Sequence, residues 1–277
     1  MNHKYKPTIL TKDKLFKIIM DGEDFNQYDY SYITDMSFMF TSIEKKIPDI
    51  SKLNTSNVIN MESMFSHSNF NQNISNWDVS NVINMSSMFE DSPFNQDISS
   101  WNTSNVIKLG SMFENSNFNQ PLNNWNIGKV RELYSIFQDS PFNQNISKWD
   151  VGNAINMRSM FENSNFNQPL NTWDVSKVTN INSMFYNTPF NQDISSWDIN
   201  QVNDVKNFLY NTNITTINNI PKIIIHPQML LYIFQNYKKC ILLNPTFDMI
   251  KYIKTHNNID DFELKILENI IKKNTYV

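Results

Sequence analysis

The sequence predicts an α/β repeat solenoid of about seven coils of 24 residues, closed by helical N- and C-terminal caps, on three observations. The tripeptide FNQ opens at Phe70, Phe94, Phe118, Phe142, Phe166 and Phe190, each 24 residues after the last. All six tryptophans keep the same step, at Trp77, Trp101, Trp125, Trp149, Trp173 and Trp197. Apolar residues return at fixed places between these marks, and one 24-residue unit is too short to bury so many aromatics by itself. Stacked units would place like side chains above one another and bury a continuous column.

The elements follow in order. Thr11 to Met20, with Leu15, Phe16, Ile18 and Ile19, predicts a short helix, so residues 1–32 are assigned to a helical cap and lead-in segment. Residues 33–213 form the repeat region. A truncated first coil starts from the FNQ at Phe25 and runs to Phe40; an imperfect copy covers Lys46 to Asn69, with Leu53 in the place of tryptophan. A full unit reads FNQNISNWDVSNVINMSSMFEDSP, from Phe70 to Pro93. Pro93, Pro141 and Pro189 precede alternate FNQ motifs while Asn69, Asn117 and Asn165 precede the others, which indicates duplication of a two-unit block.

In the second half of the unit, Val82, Met85, Met88 and Phe89 have the spacing of one helical face and Ser80 stands at an N-cap position, predicting a helix from about Asn81 to Glu90. The first half, FNQNISNWDV, predicts a brief extended segment and a bend. Residues 214–277 carry a different pattern, read as three helices that form a cap or a small docking module.

Composition narrows the function. The 277 residues are 40% apolar and 18% charged, with a formal charge of −4 and a pI near 5.6, which gives no overall field for nucleic acid or an anionic membrane. No stretch approaches the ~18 apolar residues of a membrane helix, and the start, MNHKYKPTILTKDKLFKIIM, does not read as an export signal. The reading therefore favours a cytoplasmic or host-intracellular location over a cell surface. Abundant Asn, Ile and Lys beside a single alanine, Ala154, and two arginines, Arg131 and Arg158, point to an AT-rich genome.

The repeated residues resemble the BspA-like leucine-rich-repeat surface proteins, in their mycoplasma-type repeat. The resemblance is carried by FNQDISSWNTSNVIKLGSMF from Phe94 and FNQNISNWDVSNVINMSSMF from Phe70, and it covers about Ile33 to Asn213. It implies a leucine-rich-repeat-like solenoid with a role in adhesion or protein binding. FNQPL at Phe118 and Phe166 is also similar to the FNIP repeats of amoebae and their large viruses.

Little in the sequence suggests catalysis or a cofactor. His3, His67, His226 and His256 have no histidine or acidic partner at metal-ligand spacing, so no zinc or histidine-based site is expected, and Cys240 lies in the apolar stretch CILL, as a small buried side chain would. Four glycines leave little material for a phosphate loop. Asp78, Asp150, Asp174 and Asp198, with Asn54, Asn102 and Asn126 at the same place elsewhere, read as side-chain caps of turns rather than a calcium ladder. The Asn71–Gln72 and Ser87 positions, repeated in later units, read as caps or side-chain ladders for backbone groups.

Specificity is then expected where units differ. One variable column contains Glu62, Ser86, Gly110, Tyr134, Arg158, Asn182 and Lys206; another contains Ile59, Ile83, Ile107, Arg131, Ile155, Thr179 and Asn203. Arg131, Tyr134 and Arg158, with Tyr186 and Tyr210 in a neighbouring column, are the candidate protein-binding residues. The expectation is a non-enzymatic protein that binds another protein, with no cofactor. The alternative is a structural component of a surface layer or virion.

Overall fold

Residues 10–214 and Pro221 are described by the computed structural model. The helices expected from Ile223 onward, with Cys240, His226 and His256, lie outside the described residues, as does His3.

The first element is a helix, α1 (Lys12–Met20). Thr11 caps it by accepting a hydrogen bond from the Lys14 amide, and Leu15 and Ile19 form its buried side. Phe16 packs against Phe40, 5.8 Å between ring centroids, so α1 covers the start of the stack. A single 3₁₀ turn, Phe25–Gln27, follows; Asp24 accepts from the Asn26 amide at its start.

Beyond it the chain is a repeat protein whose 24-residue units lie one on another. Each unit is tied to the next by one parallel bridge, in the series Asp35, Asn60, Asn84, Lys108, Glu132, Asn156, Asn180 and Asp204. The two phenylalanine columns are continuous. Phe89 stacks at 3.8 Å on Phe94, five residues on, and Phe89–Phe113 and Phe94–Phe118 stack one full period apart at 5.8 and 6.2 Å. Trp101 and Trp125 lie 6.3 Å apart with 7° between their planes. These rings are almost entirely buried, and each stacked pair adds about 0.5–1.5 kcal/mol beyond the burial of its area.

The helix expected over Asn81–Glu90 does not form, and the corresponding segments of the other coils contain none either. The amides of Met85, Ser87, Phe89 and Asp91 donate to the carbonyls of Lys108, Gly110, Met112 and Glu114 in the next coil, at 2.9–3.0 Å, instead of closing a helical turn. The amides between them close tight turns, Met88 to Met85 and Glu90 to Ser87. Ser87 and Asp91 are left-handed, with φ of 54° and 51°, which no α-helix accommodates. Apolar residues three apart are thus the outline of successive tight turns as well as of a helix, and the inter-coil bonds decide between them.

The extended segment expected over FNQNISNWDV is also absent as a strand: side chains replace the ladder there. Asn71 Oδ1 accepts from the Asn95 amide (3.0 Å) and from Gln96 Nε2 (2.9 Å), and the pattern repeats at Asn95, Asn119, Asn143 and Asn167. Each tryptophan indole donates to a carbonyl of the preceding coil, from Trp77 to Ile50 through Trp197 to Leu170, at 2.8–3.3 Å. A buried hydroxyl column, Ser68, Ser92, Ser116, Ser140, Ser164 and Thr188, closes the turn before each FNQ by donating to the phenylalanine carbonyl three residues back. These bonds satisfy backbone groups that burial would otherwise leave unpaired.

From the Met85 to the Asp91 position the paired groups have a direction: inter-coil amides point toward the C-terminal coils and carbonyls toward the N-terminal ones. At the start of the segment, by contrast, the Ile83 and Asn84 amides bond back to the Ile59 carbonyl of the preceding coil. At the carbonyl end, Lys12 Nζ donates to the Ser37 carbonyl at 3.0 Å and lies 3.9 Å from Asp35, which places a cation where aligned peptide dipoles are negative.

Candidate interaction face

The backbone-paired segment leaves three columns facing outward, at the positions of Ile83, Ser86 and Glu90, because Met85, Met88 and Phe89 between them are buried. The five residues expected to bind a partner belong to these columns, but they do not make one cluster. Arg131 and Arg158 are exposed, and among the described residues the ion pairs are Lys12–Asp35 and His67–Asp91, so neither guanidinium is engaged by a carboxylate. Tyr186 and Tyr210 stack at 5.3 Å, 11° from parallel, and form an aromatic pair toward the C-terminal coils.

Tyr134 behaves differently from the other four. Its ring lies back over the preceding coil: a Cβ built on Gly110 would be 2.4 Å from the ring. Gly110 is therefore the space that seats Tyr134. Burial raises the Tyr134 phenol above its usual pKa, and the carboxylates of Glu132, Glu62, Glu114 and Glu90 push it the same way. Glu114 is raised as well, by its own burial first; the charges of Glu90, Asp139 and Asp91 add to this and the Ser111 hydroxyl opposes it. The N-terminal part of the face is thus an acidic field.

An apolar stripe beside that field was not singled out from the sequence. Tyr32, Ile59, Ile83 and Ile107 are 70%, 43%, 40% and 38% exposed and line an open groove of about 630 Å³. Its polar wall is fixed: Asn57, Asn81 and Asn105 donate to the carbonyls of Ser31, Ser56 and Ser80, and Lys129 Nζ donates to Asn105 Oδ1 at 2.8 Å. In the same column the stripe gives way to Arg131 in the next coil. The signal was present as three isoleucines in a column that varies elsewhere, but only the fold shows that this column faces outward.

The repeated polar residues are engaged with the backbone. Asp78, Asp150, Asp174 and Asp198, and Asn54, Asn102 and Asn126 in the same column, each accept from the amide two residues on, as the capping reading expects. Asp78 and Asp174 are held below the ordinary carboxylate pKa by hydrogen bonds from the hydroxyl and amide of Ser80 and of Ser176. The Ser87 column departs from the capping expectation: from Ser63 to Ser183 it is one of two left-handed columns, the other running through His67 and Asp91. Among the described residues its hydroxyls donate to no backbone group, so the position is set by backbone conformation rather than by capping.

His67, which has no acidic neighbour at ligand spacing along the chain, has one across it. Its Nδ1 lies 2.9 Å from an Asp91 oxygen, because 24 residues in sequence is one step up the stack. Among the described residues, no helix is long and apolar enough to cross a membrane.

No curated protein and no solved structure matches the chain. A protein family does, over residues 12–122, 76–164 and 114–221, overlapping stretches that together take in the whole repeat region. Its description is "Mycoplasma protein of unknown function, DUF285", and the stacking shown above is what repeated matching along one chain leads one to expect. The mycoplasma-type character of the repeat is thereby established, and the chain belongs to this family.

Proposed function

We propose that the protein is a non-enzymatic, leucine-rich-repeat-like solenoid that binds another protein through its backbone-paired face. The observation that carries this reading is the stripe of Tyr32, Ile59, Ile83 and Ile107, since a contiguous exposed apolar surface rimmed by polar residues is characteristic of interaction sites. The acidic field around Tyr134 and the exposed guanidinium groups of Arg131 and Arg158 supply charge for orienting a partner, with the Tyr186–Tyr210 pair as a further anchor. Adhesion or the binding of a host factor fits such a surface. A non-catalytic role is supported by how the recurring polar side chains are used: they hold turns and carbonyls in place.

The test uses Ile83→Asp with Ile107→Asp, two outward changes that leave the stacked core alone. The wild type is expected to capture a partner saturably from cell lysate and this variant to lose it. A triple alanine variant at Arg131, Tyr134 and Arg158 that binds as the wild type does would remove those three residues from the site. Concentration-dependent assembly of the chain with itself, seen by sedimentation and without a captured partner, would favour a structural role in a surface layer or virion.

A further inference from the structure

We infer that His67, Glu90 and Asp91 form a binding site for a divalent transition-metal ion of the Zn²⁺ class, joining two successive coils. One nitrogen and two carboxylate oxygens of these side chains lie within 4.8 Å of one another. His67 is exposed and Glu90 and Asp91 are half-buried, and Asn115 Nδ2 donates to the other Asp91 oxygen. Side-chain rotation of His67 and Glu90 toward Asp91 would bring the set to the distances of about 2.0–2.2 Å at which zinc is held by imidazole and carboxylate. His67 Nδ1 already meets an Asp91 oxygen at 2.9 Å, and an ion held by both would take the place of that direct contact. The positions are set by the backbone: the His67 amide donates to the Glu90 carbonyl at 2.8 Å, and His67 and Asp91 occupy equivalent left-handed places in adjacent coils, with φ of 52° and 51°.

The ligand set indicates the class of ion. Imidazole with two carboxylates suits zinc and its neighbours, whereas calcium and magnesium take oxygen ligands and gain nothing from the histidine. Three protein ligands leave a coordination position for water or for a group from a bound partner. The ion would also act as a clamp, since His67 belongs to one coil and Glu90 and Asp91 to the next; binding to the folded form alone raises the melting temperature. This inference stands apart from the interaction reading above.

The repeat supplies its own conservative replacements. Asn115 and Asn163 occupy the left-handed column of His67 and Asp91, and Gln138 occupies the column of Glu90. His67→Asn, Asp91→Asn and Glu90→Gln therefore remove ligands while keeping side chains that the fold uses at these places.

The experiment titrates the full chain, stripped with chelator and desalted, with Zn²⁺, Ca²⁺ and Mg²⁺ by calorimetry. Co²⁺ serves as a spectroscopic probe, and thermal melts are run in parallel. The expected result is one saturable Zn²⁺ event per chain with a rise in melting temperature. His67→Asn and Asp91→Asn should weaken it by about tenfold or more, as is usual when a group at a metal site is removed. The inference is overturned if the wild type binds Zn²⁺ no better than millimolar, if Ca²⁺ or Mg²⁺ is preferred, or if His67→Asn binds Zn²⁺ as the wild type does. The last outcome would assign the metal to other histidines of the chain. Circular dichroism of each variant separates loss of a ligand from loss of fold.

Discussion

The two sides of every coil solve the same stacking problem with different groups. On the side of Met85 to Asp91 the backbone does the pairing, four amides of one coil donating to four carbonyls of the next. On the side of Phe70 to Val79 the inter-coil contacts are made by side chains, the Asn71 amide and the Trp77 indole. The consequence for sequence is direct. A backbone bond places no demand on the side chain of the residue that makes it, so the outward columns of Ile83, Ser86 and Glu90 can change from coil to coil. A side-chain bond fixes the residue, and Asn, Gln and Trp recur on the other side without exception from Phe70 to Trp197.

The largest expected effect comes from a residue that both sides share. Phe113 is fully buried and stacks on Phe118 at 3.9 Å, on Phe89 at 5.8 Å and on Phe137 at 5.8 Å. Phe113→Ala should lower stability by about 3–5 kcal/mol in a denaturant titration, because the rings above and below hold the cavity open. If the loss is under about 1 kcal/mol, the column is not the main support of the stack.

A sharper test sets one side against the other. Asn119 Oδ1 accepts from the Asn143 amide and from Gln144 Nε2, both at 3.0 Å, so Asn119→Leu strands two donors and should cost about 1–3 kcal/mol. Arg158→Ala, on the backbone-paired side, should change stability by no more than about 0.5 kcal/mol. Equal losses from the two would erase the distinction.

Backbone conformation on the variable side still limits what it accepts. Ser111 has a φ of 56°, and the last coil uses Asn207 at the same place with a φ of 58°. Ser111→Asn should be close to neutral, while the β-branched Ser111→Val should cost about 1–2 kcal/mol by thermal melt. Gly110→Ala should expel the Tyr134 ring, read as increased solvent exposure of tyrosine by ultraviolet difference absorbance, with a loss of about 1 kcal/mol or less from the area uncovered.

The smallest effect is acid sensitivity. Asp78 and Asp174 have folded-state pKa values below the ordinary carboxylate value, so what they add to stability is complete above about pH 4 and is lost as pH falls through their own lower values. Replacing both by Asn, the residue that Asn102 and Asn126 already supply, should keep the turns. The slope of melting temperature against pH below about pH 4 should become shallower, and an unchanged slope would show that other carboxylates govern acid unfolding.

Much of this architecture is legible from residue type and spacing, and the exceptions have a common cause. The period of 24, the stacked aromatics and the side-chain caps at Asp78 and its equivalents require only a repeating unit too small to bury itself. The helix expected at Asn81–Glu90 failed because apolar spacing reports which residues turn inward and not where their amides go. Residue type shows which candidates are long or charged but not how they lie: Arg131 and Arg158 are exposed, Tyr134 is drawn back over Gly110, and the outward face of the isoleucine stripe beside Tyr32 is visible only in the fold.

By itself the sequence determined that units of 24 residues would lie in register, because the repeated aromatic rings stack on their own copies and the repeated Asn, Gln and Trp side chains bond to the same positions one step away. Tertiary structure alone decided that each coil runs through left-handed turns bonded forward to the next, and which of its columns meet solvent. It also decided that His67 would face Asp91. Those outcomes depend on the direction of amides and carbonyls between coils, a property of neighbouring chains in space that no single unit contains.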